Sequence, residues 1–487
     1  MNMKNNTANP AKNDNRIASI KTQAKKSPRD NKQNKLVTTK DTSVNKDKKD
    51  QSKCPYFTKC GGCSYINKTY AEQLEIKQQN VSKFLKDIAS SQGIKIEKIL
   101  GTDEPYYYRN KVHSVFALDA SGKPVRGIYS EKSHRVVAVK GCMLEDKKAD
   151  EIIEEVYRLL PSFKYKVFDE DRGTGWLRHV LVRVGHIGNR HTVSIGDSSK
   201  DTKGKEGINT QIMLVLVTVS VPFPGKNNFI KAIRTKFPEI TTIVQNINDK
   251  RTSMVLGERN IVCYGPGYIE DELMGLKFRI SPDSFYQVNS YQTEKLYKKA
   301  IEYAFYNASP KKNRGKDKEY ISLPKTIIDA YCGTGTIGMG MADKAKNVIG
   351  IELNASAVKD AIQNAKKNEI KNIEFVKADA TIWMQEYQEK IKEKAGDYVL
   401  VMDPPRSGST EAFISAAANA GIEHIVYVSC NPETLARDLK VFIKRKYKVK
   451  KITPVDMFPW TEHVEVCCLL ERLRSAKEHV QIGMIVI

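Results

Sequence analysis

The sequence predicts a doubly wound α/β domain in the C-terminal half of the chain, preceded by a strand-rich domain. From residue 278 onward, apolar runs of strand length alternate with segments of helical periodicity, which is the pattern of a parallel sheet covered by helices. Between residues 54 and 276, one helical segment is followed by several short β-type runs that turn signals separate. We therefore expect a basic arm over 1–52, a strand-rich middle domain over 53–277 and the α/β domain over 278–487.

The individual elements follow from the spacing of apolar residues. Leu74, Val81 and Leu85 recur at helical spacing and predict a helix over 69–90. In the middle domain, strands are predicted over 112–118, 135–139, 177–184, 212–221 and 242–247. In the α/β domain, helices are predicted over 288–305 and 355–368, and strands over 326–330, 347–351, 373–377, 398–402 and 424–429. Ligands of such sheets bind beyond the carboxyl ends of the strands.

The charge balance favours a polyanionic partner. The chain has 487 residues, with 80 Lys and Arg against 57 Asp and Glu, which gives a formal net charge of +23. Nucleic acid is the first class of partner that this excess favours, and an anionic membrane surface is the second. No apolar run approaches the ~18 residues of a transmembrane helix, and we expect RNA, with no membrane partner. Nine cysteines are too few for a disulfide scaffold, so we expect reduced thiols and a cytoplasmic location.

The first 50 residues form the most basic part of the chain. They carry 13 Lys and Arg against 5 Asp and Glu and have few apolar residues. A segment of this composition cannot bury enough apolar surface to offset its ordering entropy, so we predict that it is disordered. It is either an arm that follows nucleic-acid phosphates or a solubilising tail without a specific partner, and both interpretations stay open.

A glycine-rich turn over 329–338 is the first motif at a predicted strand end. Gly333 and Gly335 allow backbone to approach a ligand closely, which fits either a dinucleotide or S-adenosylmethionine. Glu352 ends the next strand, where a carboxylate can accept hydrogen bonds from two ribose hydroxyls. The incomplete dinucleotide spacing favours S-adenosylmethionine, with Asp379 near the adenine. The alternative is a tight turn with a surface acid.

Three further residues with reactive or acidic side chains follow. Asp403 ends a strand and is followed by two prolines, which makes a stiff loop at the mouth of the cofactor pocket. Cys430 ends another strand, and a helix that begins near Pro432 is expected to favour its thiolate. The alternative for Cys430 is a buried, inert cysteine. Glu465 lies in an alternating apolar segment, where a carboxylate is either paired structurally or functional.

Five motifs, in their order along the chain, resemble those of the RNA uracil-5-methyltransferase family, particularly its iron–sulfur branch acting on 23S rRNA. The motifs are 281–289 (Ser-Pro-Asp-Ser-Phe-Tyr-Gln-Val-Asn), 329–338, 403–406, 429–432 and 463–467. The resemblance covers roughly residues 54–472 and implies a Rossmann-like S-adenosylmethionine methyltransferase domain that acts, as a monomer, on RNA. The cofactor-binding residues of the family match Gln287, Tyr331, Glu352 and Asp403. Its nucleophile matches Cys430, and its base matches Glu465.

The implied chemistry explains these residue types. Carbon 5 of uracil is too weak a nucleophile to take a methyl group from a sulfonium. Attack of the Cys430 thiolate on carbon 6 turns the ring into an enolate that reacts at carbon 5. Glu465 then removes the carbon-5 proton, and elimination frees the cysteine. Phe285 or Tyr286 is expected to stack on the uracil, which must be unstacked from its RNA to enter the pocket.

Four other cysteines are candidate metal ligands. Cys54, Cys60 and Cys63 lie on one short loop with two glycines, and Cys142 is the expected fourth thiol. Four thiolates fit a structural zinc or an iron–sulfur cluster, and unligated thiols are the third possibility. The resemblance implies a 4Fe–4S cluster. Because these cysteines lie far in sequence from every reaction motif, we expect the cluster to stabilise the RNA-binding middle domain.

Several alternatives stay open at this point. Many family members begin with a small β-barrel that binds RNA, whereas before Cys54 this sequence shows only the polar arm. The modified uridine therefore does not follow from the resemblance, and tRNA is a second possible substrate. Two other functions are an amino-group or cytosine methyltransferase and a non-catalytic RNA-binding iron–sulfur protein. The segment 106–111 mixes aromatic and basic residues and is either an RNA contact or the edge of a core. Arg178 and His179 are further candidate RNA contacts.

Overall fold

Two seven-stranded sheets and the helices on their faces account for most of the protein's regular structure. The protein is represented by a computed structural model, which describes residues 54–130, 133, 135–188, 209–220, 222–250, 254–306 and 326–473. The predicted basic arm over 1–52 lies outside the described residues. Within those ranges, no helix is both long enough and apolar enough to cross a membrane.

Two helices precede the first sheet. Helix α1 spans Phe57–Cys60, and α2 spans Tyr70–Ser91, which confirms the helix predicted over 69–90. Thr69 begins α2 with a capping box, in which its hydroxyl accepts from the Glu72 amide and the Glu72 carboxylate accepts from the Thr69 amide. The apolar face of α2 packs into the core of the second sheet. A helix near the start of the described residues therefore packs against the sheet near their end.

The first sheet has the strand order β3-β2-β1-β4-β5-β6-β7, and all five predicted strands are confirmed. Helices α3 and α4 cover one face of it with an apolar cluster, and sequence periodicity had not predicted either helix. Its elements are β1 Lys111–Leu118, β2 Pro124–Tyr129, β3 Val136–Ala138, α3 Lys147–Leu159, β4 Leu177–Ile187, β5 Asn209–Thr218, α4 Lys226–Lys236, β6 Ile240–Ile247 and β7 Arg259–Tyr264.

A β-hairpin lies between the two sheets in the chain. Strands β8 (Ile269–Leu273) and β9 (Leu276–Ile280) are joined by Met274 and Gly275, which have φ angles of 54° and 79°. Positive φ at both central residues is the geometry of the two-residue hairpin turn that matches strand twist. One apolar cluster contains side chains of the first sheet, this hairpin and the second sheet. Residue 277 lies within β9, and the domain boundary that we place there stays a prediction.

The second sheet has the strand order β12-β11-β10-β13-β14-β16-β15. Strands β10 to β14 are parallel, and β16 runs antiparallel to β14 and β15. Apolar clusters fill both faces, so the predicted doubly wound α/β arrangement is confirmed. Its elements are α5 Ser290–Ala304, β10 Thr326–Ala330, α6 Thr336–Met339, β11 Asn347–Glu352, α7 Ala355–Lys367, β12 Ile373–Lys377, α8 Ala380–Lys392, β13 Tyr398–Met402, α9 Glu411–Asn419, β14 His424–Ser429, α10 Pro432–Lys444, β15 Tyr447–Val455 and β16 Glu465–Arg472.

Candidate active site

The predicted site residues of the α/β domain meet along one edge of the second sheet. In the parallel ladder, Ala330 pairs with Ile351 of β11 and with Met402 of β13. The residues that follow these positions therefore leave the sheet at the same edge. Strand β16 runs the opposite way and begins at this edge, where Val466 pairs with Ser429 of β14. The fold thus brings Tyr331, Glu352, Asp403, Cys430 and Glu465 together.

Glu352 organises the glycine-rich turn from the neighbouring strand. One carboxylate oxygen, Oε2, accepts the Gly333 amide at 3.0 Å, and Oε1 accepts the Asn354 amide at 2.7 Å. Gly335 has a φ of 79°, and a Cβ there would lie 2.7 Å from the Phe375 ring, so only glycine fits this turn. The carboxylate remains partly exposed beside the turn. It is therefore available to a ligand that lies against the glycines.

Asp329 is a buried carboxylate beneath the same turn, and it had no role in the sequence prediction. Its Oδ2 accepts the Gly338 amide at 2.8 Å, while its Oδ1 is buried without a hydrogen-bond partner. Burial raises the pKa of Asp329 to about 7. A strand-end acid just before a glycine-rich turn is the signal that could have identified it.

Asp379 has a local structural role that the sequence did not predict. Its side chain caps α8 by accepting the amides of Thr381 and Ile382 at 2.8 and 3.1 Å. Sequence reasoning missed two large apolar side chains that follow Glu352 and Asp379 along the chain. Leu353 is 64% exposed and Ile382 is 56% exposed. An apolar residue directly after a strand-end acid was the available signal.

Tyr331 is held in an uncommon backbone conformation. Its φ is 64°, which is unusual for a non-glycine residue and typical of functional sites. The Tyr331 and Ser409 hydroxyls lie 3.3 Å apart, and the Tyr331 ring centroid lies 5.6 Å from that of Phe413. These contacts orient the half-buried ring at the end of β10.

Four ionisable groups interact electrostatically at the ends of β13, β14 and β16. Burial raises the pKa of Asp403 to about 7. Burial, and then the Asp403 charge, raise the pKa of the Glu465 carboxyl well above its usual range, while the Arg406 guanidinium opposes this rise. Burial, followed by the charges of Glu465 and Asp403, also raises the pKa of the Cys430 thiol to about 11, and Arg406 again opposes it.

A helix N-terminus does follow Cys430, as expected, but it does not make the thiolate the favoured form. Helix α10 does begin at Pro432, but the side chain of Asn431 caps it by accepting the Glu433 amide at 3.0 Å. Burial and two nearby carboxyl groups outweigh the helix terminus. With a pKa of about 11, the thiol is mostly protonated at neutral pH.

The raised thiol pKa has a measurable consequence. Because the thiolate is the nucleophile, alkylation of Cys430 by iodoacetamide should become about tenfold faster per pH unit between about pH 7 and about pH 10. The rate is to be followed on the Cys430 peptide by mass spectrometry, with glutathione alkylated in parallel to correct for reagent chemistry. A rate that levels off below about pH 9, as for an ordinary cysteine, would contradict the raised pKa.

The predicted motif over 281–289 lies between β9 and α5. The backbone carbonyl of Gln287 accepts from Asn110 Nδ2 at 3.1 Å, which ties the motif to the first sheet. Tyr286 is buried, and its hydroxyl donates to Asp271 at 2.9 Å, so it does not face a ligand. Phe285 is 69% exposed. Of the two predicted stacking residues, only Phe285 is presented to solvent.

The four predicted metal-ligand cysteines share one region. Cys54, Cys63 and Cys142 border an apolar cluster that contains Trp460, and the Gly62 amide donates to Cys60 Sγ at 3.4 Å. Burial raises the pKa of Cys63 and of Cys142 to about 12, and the nearby Arg109 opposes both shifts. Over the described ranges, no three His, Cys, Asp or Glu side chains are arranged to hold a metal ion.

The candidate RNA contacts of the middle domain make internal contacts. Arg178 is buried and donates to the carbonyls of Asn248 and Lys250 at 3.0 and 2.8 Å. His179 is buried, and its Nδ1 lies 3.3 Å from His113 Nε2. In the segment 106–111, Tyr106 stacks on Trp460 and Tyr108 is buried. These contacts fit the alternative of a core edge.

Comparisons with known proteins agree on one enzyme class. Residues 267–473 match the family model described as tRNA (uracil-5-)-methyltransferase. An uncharacterized RNA methyltransferase of Bacillus cereus is 36% identical over 424 residues, which are 87% of this chain and 84% of the relative. Another, of Clostridium acetobutylicum, is 38% identical over 86% of this chain and 83% of its own length. The crystal structure of Pyrococcus abyssi tRNA (uracil-54, C5)-methyltransferase with S-adenosyl-L-homocysteine is similar at a TM-score of 0.62 and 25% identity, over 84% of this chain and 86% of that one.

Proposed function

Because the chain belongs to the RNA uracil-5-methyltransferase family, whose members are S-adenosylmethionine-dependent RNA methyltransferases, we propose that it methylates carbon 5 of a uridine in 23S rRNA. One observation carries the proposal. The Cys430 thiol interacts electrostatically with both Glu465 and Asp403 at the sheet edge that also carries the glycine-rich turn. A nucleophile and a buried carboxyl beside a cofactor turn are the groups that carbon-5 methylation requires.

Each residue has a separate task in the proposed reaction. Asp403, with a pKa of about 7, is partly ionised at neutral pH and can take the Cys430 proton. The thiolate then bonds to carbon 6 of the uracil, and electron density moves to carbon 5. Bound S-adenosylmethionine supplies the methyl group, and its sulfonium charge favours the ionised forms of the nearby acids. Glu465 removes the carbon-5 proton as the bond between Cys430 and carbon 6 breaks.

The reaction type is tested by tritium release from RNA labelled at uracil carbon 5. We expect release from 23S rRNA that requires both S-adenosylmethionine and Cys430. Methyl transfer without release would contradict carbon-5 chemistry and point to nitrogen or cytosine methylation. Tritium release from tRNA but not from 23S rRNA would show that the substrate is tRNA. The similarity to the Pyrococcus abyssi tRNA enzyme favours this alternative.

The cofactor-binding set is proposed from the same edge. Glu352 faces the turn that includes Gly333, and we assign it to the ribose hydroxyls. The exposed apolar side chains of Leu353 and Ile382 are suited to the two faces of an adenine. We place Gln287, Tyr331 and Asp403 near the methionine part of the cofactor. Asp379 acts there chiefly through the α8 cap that positions Ile382.

Replacing Glu352 should weaken cofactor binding strongly. Hydrogen bonds to a charged group contribute ~1.5–3 kcal/mol each, so Glu352→Ala should raise the Kd for S-adenosylmethionine by roughly 100-fold. Glu352→Gln should have a smaller effect, because its amide oxygen can still accept the Gly333 amide. Calorimetric titration measures both, with Glu374→Ala on the exposed surface of β12 as the matched control. An unchanged Kd in Glu352→Ala would contradict the assignment.

We also propose that Cys54, Cys60, Cys63 and Cys142 hold a 4Fe–4S cluster. Desolvation raises the pKa of the Cys63 and Cys142 thiols, and the charge of a bound cation would favour their ionised forms. A cluster of four irons separates its ligands more widely than one zinc ion, whose sulfur ligands lie ~2.3 Å from the metal. Iron and acid-labile sulfide in anaerobically purified protein test the assignment, and zinc without iron would overturn it.

A further inference from the structure

The loop between β15 and β16, residues 456–464, leads directly to Glu465. Val455 at the end of β15 pairs with Glu465 at the start of β16, so the loop closes a β-hairpin. The side chain of Asn289 donates to the carbonyl of Met457 at 2.9 Å, which ties the loop to the start of α5. The position of Glu465 at the sheet edge therefore depends on how this hairpin loop is held.

The loop that carries three of the cysteines, residues 54–65, contacts the hairpin loop through Trp460. The amides of Ser64 and Tyr65, which directly follow Cys63, donate to the Trp460 carbonyl at 2.9 and 3.0 Å. Trp460 is 2% exposed and lies in the same apolar cluster as Cys54, Cys63 and Cys142. The cysteine loop is thus bonded to the chain five residues before Glu465.

The Trp460 side chain is fixed on several sides. Its ring stacks on Tyr106 with a centroid distance of 5.1 Å, and its Nε1 donates to the Pro105 carbonyl at 2.9 Å. Its backbone amide donates to Gln73 Oε1 of α2 at 2.8 Å. Its φ of 70° is a conformation that a bulky residue adopts only when surrounding contacts impose it. Trp460 is therefore held both by the segment that contains Pro105 and Tyr106 and by α2.

A buried ion pair anchors the start of the hairpin loop to α2. The carboxylate of Asp456 accepts from Lys77 Nζ, Gln73 Nε2 and the Tyr70 hydroxyl, and neither Lys77 nor Asp456 is exposed. Lys77 also donates to the Phe458 carbonyl at 3.0 Å. Such fully bonded buried pairs fix geometry more than they add stability. The hairpin loop is thereby clamped from α2 as well as from the cysteine loop.

We propose that Trp460 is a positioning residue, through which the cysteine loop holds Glu465 in place for removal of the carbon-5 proton. This assignment rests on the proposed function. A substitution of Trp460 should therefore slow the last step, in which Glu465 takes the carbon-5 proton and the bond between Cys430 and carbon 6 breaks. Thiolate attack and methyl transfer depend on Cys430, on Asp403 as the acceptor of its proton, and on the cofactor turn, none of which the hairpin loop carries.

The two stages can be separated with RNA transcribed with 5-fluorouridine. Fluorine at carbon 5 cannot leave as a proton does, so the methylated Cys430 adduct is trapped, and its rate of formation reports only the earlier steps. Trp460→Phe keeps an aromatic ring but loses the Nε1 hydrogen bond to Pro105. With the RNA that the wild-type protein methylates, we expect kcat to fall roughly 10- to 100-fold. The KM and the rate of adduct formation on 5-fluorouridine RNA should stay at wild-type values.

The controls separate this role from general destabilisation. Trp176→Phe makes the same change at a tryptophan whose Nε1 also donates to a carbonyl, that of Ser220, far along the chain from the hairpin loop. It should leave both rates unchanged. Tyr106→Leu removes the stacking partner without altering the hairpin loop and should reproduce the Trp460→Phe effect more weakly. If Trp460→Phe does not fold, Tyr106→Leu tests the positioning role in its place.

The outcomes are distinct. Normal adduct formation with slow turnover supports the positioning role. Equal losses in both rates, or no loss in either, overturn it while leaving the proposed function intact. A wild-type protein that forms neither 5-methyluridine nor a trapped adduct overturns the proposed function and this assignment together.

Discussion

Cys430→Ala should form no 5-methyluridine. Removing a covalent nucleophile lowers turnover by about 10⁶-fold in well-studied enzymes, and the reaction proposed for this protein has no step that bypasses the carbon-6 adduct. Cys332 directly follows β10 and is buried, and this burial raises the pKa of its thiol well above the usual range. We therefore do not expect Cys332 to replace Cys430 as the nucleophile. Nucleoside mass spectrometry of treated RNA measures the product, and the variant should also fail to form a trapped adduct with 5-fluorouridine RNA.

The matched control is Cys263→Ala, which removes a half-buried thiol on β7, outside the candidate site. It should retain wild-type activity. Cys430→Ala should bind S-adenosylmethionine with wild-type affinity, since no proposed cofactor contact involves the thiol. Appreciable 5-methyluridine from Cys430→Ala would end the covalent mechanism.

Glu465→Gln should convert the enzyme into one that retains its RNA. The amide fills the same buried space as the protonated carboxyl group, which the raised pKa of Glu465 favours, so folding should be preserved. Without the base, the methylated adduct cannot lose its carbon-5 proton, and turnover should fall roughly 10²- to 10⁴-fold. A protein–RNA band that survives denaturing electrophoresis, and that requires both S-adenosylmethionine and Cys430, measures the adduct.

The control lies on the same strand. Glu471→Gln changes a carboxylate near the far end of β16, where it forms an ion pair with Lys450, and should leave turnover unchanged. Loss of activity in Glu465→Gln without a stable adduct would show that Glu465 acts before methyl transfer, for example in holding the uracil.

The sequence alone was sufficient for the five parallel strands of the α/β domain. Strand-length apolar runs at 326–330, 373–377 and 398–402 coincide with β10, β12 and β13. In a parallel sheet all such strands end at one edge, so the positions of Glu352 and Asp403 followed from local patterns and a general rule. Helices α3 and α4 were missed although their buried apolar residues, such as Ile152 and Val156 of α3 and Phe229 and Ile233 of α4, recur at helical spacing.

Three features of the site depend on the tertiary structure alone. Glu465 reaches Cys430 because β16 inserts antiparallel between β14 and β15, a pairing that no local pattern encodes. The high pKa of the Cys430 thiol comes from burial and from carboxyl groups on other strands, which outweigh the helix terminus that the sequence shows. The cysteine loop, far in sequence from the reaction motifs, contacts the loop that precedes Glu465 through Trp460. Apolar periodicity within a segment determines which helices and strands form. Electrostatic interactions and contacts between segments that are distant in sequence arise only when those helices and strands pack together.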